Sequence, residues 1–440
     1  MKNIYKIFYL FSTCALLVAC DGLVQQENFQ DDPNTVGLVP TVNLIAQTEL
    51  VAMYLTESDA SRYAGINSNY IVGAQAQWEG YEQYVFTPSD FNTLWFNIYV
   101  EGMTQARTVK IQAEAELDDD AIATASFFEA FFLGELAASF GNVPDSEAIV
   151  PGIVSPVYDG QIAVLNHVQE LLDVAISRGN GSTLYINDTA GGTKSTSTLG
   201  RLAHSMKARY FLIMKDYGNA LIHAQAGINA EGGDLYGTHS TANGAQNLWY
   251  NFTATARPGN IAAQGSYLQE LVDPAGSVNR RLATPGEAQR YDFYYRGNGS
   301  FNNREGGIFA IDASLPIIGW HETMLILAEA AQRENQDGLA RNSLNAVRAA
   351  LAAQYSGDFP ASTASGNDLL LHILEEKYIS IYPSPQTWHD LNRTNNALGV
   401  TPKTGTQLPQ RFLYPQNELD TNTNAPSPIP GIFVATAVNQ

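Results

Sequence analysis

The sequence predicts a mostly α-helical protein in which antiparallel helix pairs stack in the manner of tetratricopeptide repeats and carry one irregular, aromatic-rich lobe. Three observations lead there. Phe127, Phe128, Phe131, Phe132, Leu136 and Phe140 recur at steps of three and four, the period of an apolar helix face. Residues 199–230 read as helix, a turn at Asp216-Tyr217-Gly218, and helix, with Ala203, Ala208, Ala220, Ala224 and Ala226 as small positions that let two helices approach closely. Residues 231–315 then lose the helical period and fill with Gly, Asn, Thr and Tyr, so they read as an irregular lobe of short strands and turns.

Taken in chain order, residues 1–19 are expected to be an export signal. Lys2 and Lys6 precede the apolar run Ile7 to Ala19, which is too short to span a bilayer as a stable helix. Leu17-Val18-Ala19-Cys20 looks like a bacterial lipobox, so Cys20 is expected to carry lipid, each buried methylene adding about 0.8 kcal/mol of anchoring. Residues 20–40, rich in Gln, Asn, Asp, Pro and Gly, read as a lipidated flexible tether, and residues 41–440 as a single domain. Within it, Leu94, Ile98 and Val109 hold spaced apolar positions. The Phe-rich helix is stopped by Gly141-Asn142-Val143-Pro144, and a further helix covers Gln161 to Ile176, ending at Gly179. A second helix pair runs from Glu322 to Arg333 and from Leu339 to Ala353, joined by the turn Glu334 to Gly338.

Composition narrows the function. The two cysteines, Cys14 and Cys20, lie in the signal and at the lipobox, so no disulfide is expected in the body and a large apolar core must stabilise it. Lys plus Arg number 24 against 44 Asp plus Glu, a formal charge of -20, which disfavours nucleic acid and repels sulfated or uronate polymers at long range. Neutral ligands are favoured. After residue 20 no second long apolar run is read, which places the body on a membrane surface rather than through it.

Saccharides present patches of C–H bonds fringed by hydroxyls, so exposed aromatic faces with short polar neighbours are the side chains to seek. Trp95, near Tyr99, and Trp388, beside His389-Asp390, read as core. Trp78 and Tyr81, in the polar, Gly-bounded segment Gln75-Ala76-Gln77-Trp78-Glu79-Gly80-Tyr81, fit an exposed platform as well as a packed one. Trp320, after Pro316 and Gly319 at the mouth of a helix, and Trp249, flanked by Asn247 and Asn251, complete the candidate ligand-binding set. No catalytic, cofactor or metal site is expected. His321-Glu322 lacks the second histidine of a HExxH zinc motif, and no GxSxG elbow or phosphate-cradling glycine loop is present. Glu79 and Glu82 are conceivable as a glycosidase pair, but that chemistry is set by spatial separation. Asp118-Asp119-Asp120 lacks the ligand spacing of an EF-hand and reads as a solvated helix N-terminus.

Behind the lipobox, the ordered blocks Phe127 to Ala148, Leu199 to Ala226, Pro316 to Ala330, Leu344 to Arg348, Ile373 to Arg393 and Leu408 to Asn424 resemble the SusD/RagB family of outer-membrane, surface-exposed lipoproteins. The resemblance implies a SusD-like fold of four tetratricopeptide-like helix pairs with a ligand lobe. It implies lipid anchoring on the outer face of the outer membrane, where the protein serves as a lid that delivers oligosaccharides to a SusC-like TonB-dependent transporter. The helix-pair motifs and the lobe depart from the starch-binding members, so the ligand is read from charge and tryptophan usage as a neutral polysaccharide or oligosaccharide, a β-glucan being the first choice. The alternatives are a lid for peptide or other nutrient import and, third, a secreted glycoside hydrolase.

Overall fold

In the computed structural model, residues 39–179, 181–184 and 192–440 are described. The expected signal at 1–19, Cys20 and the tether as far as residue 38 lie outside them. The chain divides into residues 1–43 and residues 44–440, and the second unit holds the architecture that follows.

Helices α1 (Thr41–Glu57) and α2 (Asp59–Asn67) lead into β1 (Val72–Gly73) and the short α3 (Gln77–Glu82). A nearly continuous rod follows: α4 (Asn92–Phe96), a π-helical stretch at Asn97–Met103, and α5 (Thr104–Glu116). It closes on Leu117 in the left-handed conformation. Helix α6 (Asp119–Phe140) starts where the Asp118 carboxylate accepts from the Ala121 N–H at 3.0 Å, with Asp119 and Asp120 in the first turn, where they complement the helix dipole. It ends at Gly141, whose φ of 86° is open to glycine at little cost.

By length and composition α6 can cross a membrane, which corrects the expectation that no second long apolar run follows residue 20. Every residue of that apolar stretch is enclosed by protein. Each fully buried Phe contributes about 1.5–3 kcal/mol, so α6 is a keel of the core. Its two buried glutamates are answered by partners: Glu129 by Arg107 and Lys110, and Glu135 by Tyr210 and Gln386.

The scaffold grows from α6 by successive helix packing. Helix α5 lies on α6, and α6 on α7 (Gln161–Gly179), which in turn packs on α8 (Leu199–Ile213). Helix α8 pairs with α9 (Tyr217–Ala226), begun by the Asp216 carboxylate accepting from the Asn219 N–H at 3.1 Å. Between β2 (Thr193–Lys194) and the second pair come the lobe elements: β3 (Leu235–Gly237), α10 (Leu248–Tyr250), β4 (Ile261–Ala262), α11 (Tyr267–Val272) and α12 (Glu287–Tyr294). Strand β5 (Leu315–Ile318) then leads into α13 (Trp320–Arg333), α14 (Asp337–Tyr355), α15 (Gly366–Ser380) and α16 (Gln386–Arg393). Helix α13 packs on α9, α14 and α15. The helix pair thus begins two residues before the expected Glu322.

Two small antiparallel sheets fix the lobe. Strand β1 pairs with β4, Val72 opposite Ala262, and β2, β3 and β5 form a three-stranded sheet with Thr193 opposite Gly237 and Gly237 opposite Leu315. A buried ionic cluster adds a second anchor. Arg280 and Arg290 of the lobe meet Glu376 of α15 at 3.0 and 2.7 Å, while Arg348 of α14 reaches the same carboxylate at 2.6 Å. Burial alone would raise the Glu376 pKa, yet the three guanidinium groups hold it well below the usual carboxylate range.

Candidate functional site

The site begins with how α13 starts. Asp234, just before β3, accepts from the Trp320 N–H at 2.7 Å and from the Tyr236 hydroxyl at 2.9 Å. One carboxylate thereby satisfies an orphan N–H at the helix start and fixes a tyrosine beside it. Gly319 leaves room for this carboxylate, since a Cβ there would come within 3.0 Å of Asp234 Oδ2.

Against this corner lies a cleft of about 530 Å³ between the lobe and the helices. Tyr236 of β3, Phe293 of α12, Trp320 of α13 and Tyr355 of α14 supply aromatic wall, and Glu231 and Asp312 lie along it. Trp320 is 7 % exposed, whereas Tyr236, Phe293 and Tyr355 are half-buried. His321 also lines the cleft, and its Nε2 is enclosed without a hydrogen-bond partner. Burial holds its pKa below the ordinary histidine value, although Asp234 and Glu231 pull it upward, so the ring is neutral near pH 7. Flat faces, hydroxyls and carboxylates in a partly open cleft suit a ligand with apolar faces and a polar fringe.

Three of the four expected aromatics lie elsewhere, and their reading as exposed platforms is corrected. Trp78 is 2 % exposed, its ring enclosed by Tyr63, Tyr81 and Phe252 at centroid distances of 5.7, 5.3 and 5.3 Å. Tyr81 stacks on Phe86 at 4.5 Å, and its hydroxyl donates to Asp90 at 2.5 Å. Trp249 is 1 % exposed and stacks on Phe309 at 4.8 Å. Arg62 joins the two groups, its guanidinium lying 4.2 Å from the Phe252 ring centroid and 6.0 Å from that of Trp249. These rings weld the lobe to α2. A covered face offers nothing to stack on, and the large apolar area of an aromatic side chain makes covering it the favourable outcome. Ala76, with φ of 54°, turns the polar segment so that Gln75 and Gln77 face solvent while Trp78 folds inward.

The remaining motifs resolve into structure. Glu322 is held by Arg209 through two bonds of 2.7 Å, so His321 and Glu322 serve different neighbourhoods. Asp390 pairs with Lys377 and Arg393, and Trp388 is fully buried with its Nε1 donating to the Pro409 carbonyl at 2.7 Å. Trp95 is nearly buried but borders a second, smaller cavity of about 280 Å³ with Phe96 and Tyr99. Glu82 is occupied by the Gly73 N–H at 2.7 Å and Lys403 at 2.9 Å, whereas Glu79 is exposed. Among the described residues, no group of three or more His, Cys, Asp or Glu side chains is gathered as a metal site.

A sequence model of the SusD-like family, described as starch-binding and associating with the outer membrane, matches residues 33–415. The chain belongs to the SusD-like family. Solved structures share the fold: a SusD/RagB family protein from Bacteroides thetaiotaomicron is 18 % identical, with a TM-score of 0.66 over 88 % of this chain and 95 % of that one. A SusD homologue from Bacteroides fragilis is 17 % identical, with a TM-score of 0.65 over 92 % and 100 %. A chitin-binding SusD homologue from Flavobacterium johnsoniae is 14 % identical, with a TM-score of 0.65 over 91 % and 97 %. No curated protein matches the chain in sequence. The SusD-like helix pairs are therefore the frame on which this chain builds its cleft.

Two of the cleft's aromatic residues, Tyr236 and Phe293, come from the region read as a ligand lobe, but no residue there other than Trp249 was singled out. Tyr355 ends a helix read only as scaffold. The available signal was the recurrence of aromatic residues at the ends of the lobe and of the second helix pair.

Proposed function

We propose that this SusD-like protein is a non-enzymatic glycan-binding lipoprotein of the outer cell surface. Residues 1–19 direct export, Cys20 carries the lipid, and residues 20–40 tether the ligand-binding body to the outer membrane. The body captures a largely neutral oligosaccharide or polysaccharide and passes it to a SusC-like TonB-dependent transporter. Family membership supports this reading, since the family is described as starch-binding and associated with the outer membrane. The observation that carries it within the chain is the roughly 530 Å³ cleft with Tyr236, Phe293, Trp320 and Tyr355 in its wall, beside the paired strands β3 and β5. Stacking on such walls with hydroxyl contacts corresponds to affinities from about millimolar to micromolar, or about 4 to 8 kcal/mol. A β-linked glycan, either a glucan or a chitin-type chain, is the ligand class proposed, the latter because a chitin-binding homologue has the same fold.

Affinity electrophoresis against a glycan panel, followed by isothermal titration of Trp320→Ala and Tyr355→Ala, tests the site. Retardation by a β-glycan and weaker binding by both variants are expected. Absence of any carbohydrate binding overturns the proposal. Radiolabelled fatty acid incorporated by the wild type but not by Cys20→Ser tests the anchor, and co-purification with a TonB-dependent transporter tests the partner.

A further inference from the structure

The cleft wall carries one sign of charge. Glu231, Asp234 and Asp312 line it, and no lysine or arginine does. Asp234 is occupied by Trp320 and Tyr236, but Glu231 and Asp312 are exposed and take part in no hydrogen bond or ion pair among the described residues. Three acids deeper in the fold are instead matched by arginine: Glu322 by Arg209, Glu329 by Arg393, and Glu376 by three arginines. His321 also lines this cavity, with its Nε2 enclosed and without a hydrogen-bond partner. The cavity's aromatic faces attract a cation as well as a sugar face. An ammonium group suits unpaired carboxylates and aromatic faces alike, supplying several donors to the first and a positive charge to the second. A hydroxyl supplies one donor and no charge, and a uronate or sulfate meets only repulsion.

We propose that this cleft is a subsite for a free amine on an otherwise uncharged glycan, so that it prefers glucosamine-containing chains to fully acetylated, hydroxyl-only or acidic ones. The inference rests on reading the cleft as the glycan site and names the chemistry that site selects.

Isothermal titration of the lipidated protein in detergent, at low salt and neutral pH, provides the test. The probes are a glucosamine tetrasaccharide, its N-acetylated counterpart, a cello-oligosaccharide and an oligogalacturonate. The glucosamine chain is expected to bind about three- to tenfold more tightly than the two uncharged chains, the range of two partly exposed charge contacts. The oligogalacturonate is expected to bind least. In about 0.5 M salt the advantage shrinks, because the Debye length falls to a few ångströms. The double variant E231Q/D312N, altered only at exposed side chains, brings the ratio of glucosamine to N-acetylated affinity toward one. The inference is overturned if the glucosamine chain binds no more tightly than the acetylated chain, or if its advantage survives in E231Q/D312N. Binding of uncharged chains in either case leaves the glycan reading standing, whereas failure of all four probes to bind removes that reading and the inference with it.

Discussion

Glu49 of α1 gives a quantitative test of the protein interior. Its side chain is fully buried, Oε1 accepts from Thr193 Oγ1 of β2 at 2.9 Å, and Oε2 has no partner. Burial pushes its pKa from 4.5 up to about 7, against the lowering effect of the Thr193 hydrogen bond. When a carboxyl has a higher pKa folded than unfolded, the native state holds the extra proton. Stability is then highest below the unfolded pKa and declines as pH rises toward the folded one. At about 1.4 kcal/mol per unit, the loss between pH 4.5 and pH 8 is about 3 kcal/mol. Glu49→Gln retains the acceptor for Thr193 and has no proton to lose. Its amide nitrogen takes the place of the unpartnered Oε2, a cost similar to that of the hydroxyl of protonated Glu49. Urea unfolding of both proteins should therefore give nearly equal stabilities at pH 4.5, with the variant ahead by about 3 kcal/mol at pH 8. All other titrating groups are common to the two proteins and cancel. Stability curves that run parallel from pH 4.5 to 8 would refute the buried-carboxyl argument.

Other consequences follow from packing and charge. Glu376→Gln leaves Arg280, Arg290 and Arg348 short of their shared counter-charge, so urea unfolding should show a loss of about 3–5 kcal/mol, and an unchanged midpoint would show that the cluster does not anchor the lobe. Gly134→Ala drives a methyl group from α6 into the ring of Tyr210 on α8. A destabilisation of about 1–3 kcal/mol is expected from overpacking, read as a lower thermal midpoint. The two tryptophans should separate cleanly. Trp249→Ala opens a cavity in the aromatic weld and should cost about 3–5 kcal/mol of stability while the folded fraction still binds glycan. Trp320→Ala should weaken glycan binding by roughly tenfold, about 1.4 kcal/mol. Equal glycan affinity for Trp320→Ala and the wild type would remove Trp320 from the site.

The helical frame was legible because its signals are local. The phenylalanine period of α6, the stop at Gly141, the Asp216 turn between α8 and α9, and the break before α14 each depend on residues within a few positions of one another. The irregular lobe was legible for the complementary reason, as a stretch lacking any such period, although its helices α11 and α12 are too short to have imposed one. The membrane-like composition of α6 misleads only when its surroundings are left out.

What the sequence determined by itself is the set of helix pairs, the place of the lobe and the sign of the charge, since each is written in spacing or composition. The tertiary structure alone decided which aromatic faces meet solvent. Trp78 and Trp249 stand 171 positions apart in the chain, yet Arg62 and Phe252 bring them into one buried group, while Trp320, itself 7 % exposed, lines the cleft with the half-buried Tyr236, Phe293 and Tyr355. Local sequence sets which way a side chain leaves its own element. Whether another segment covers it depends on chain segments far away in sequence, and only the folded packing brings those together.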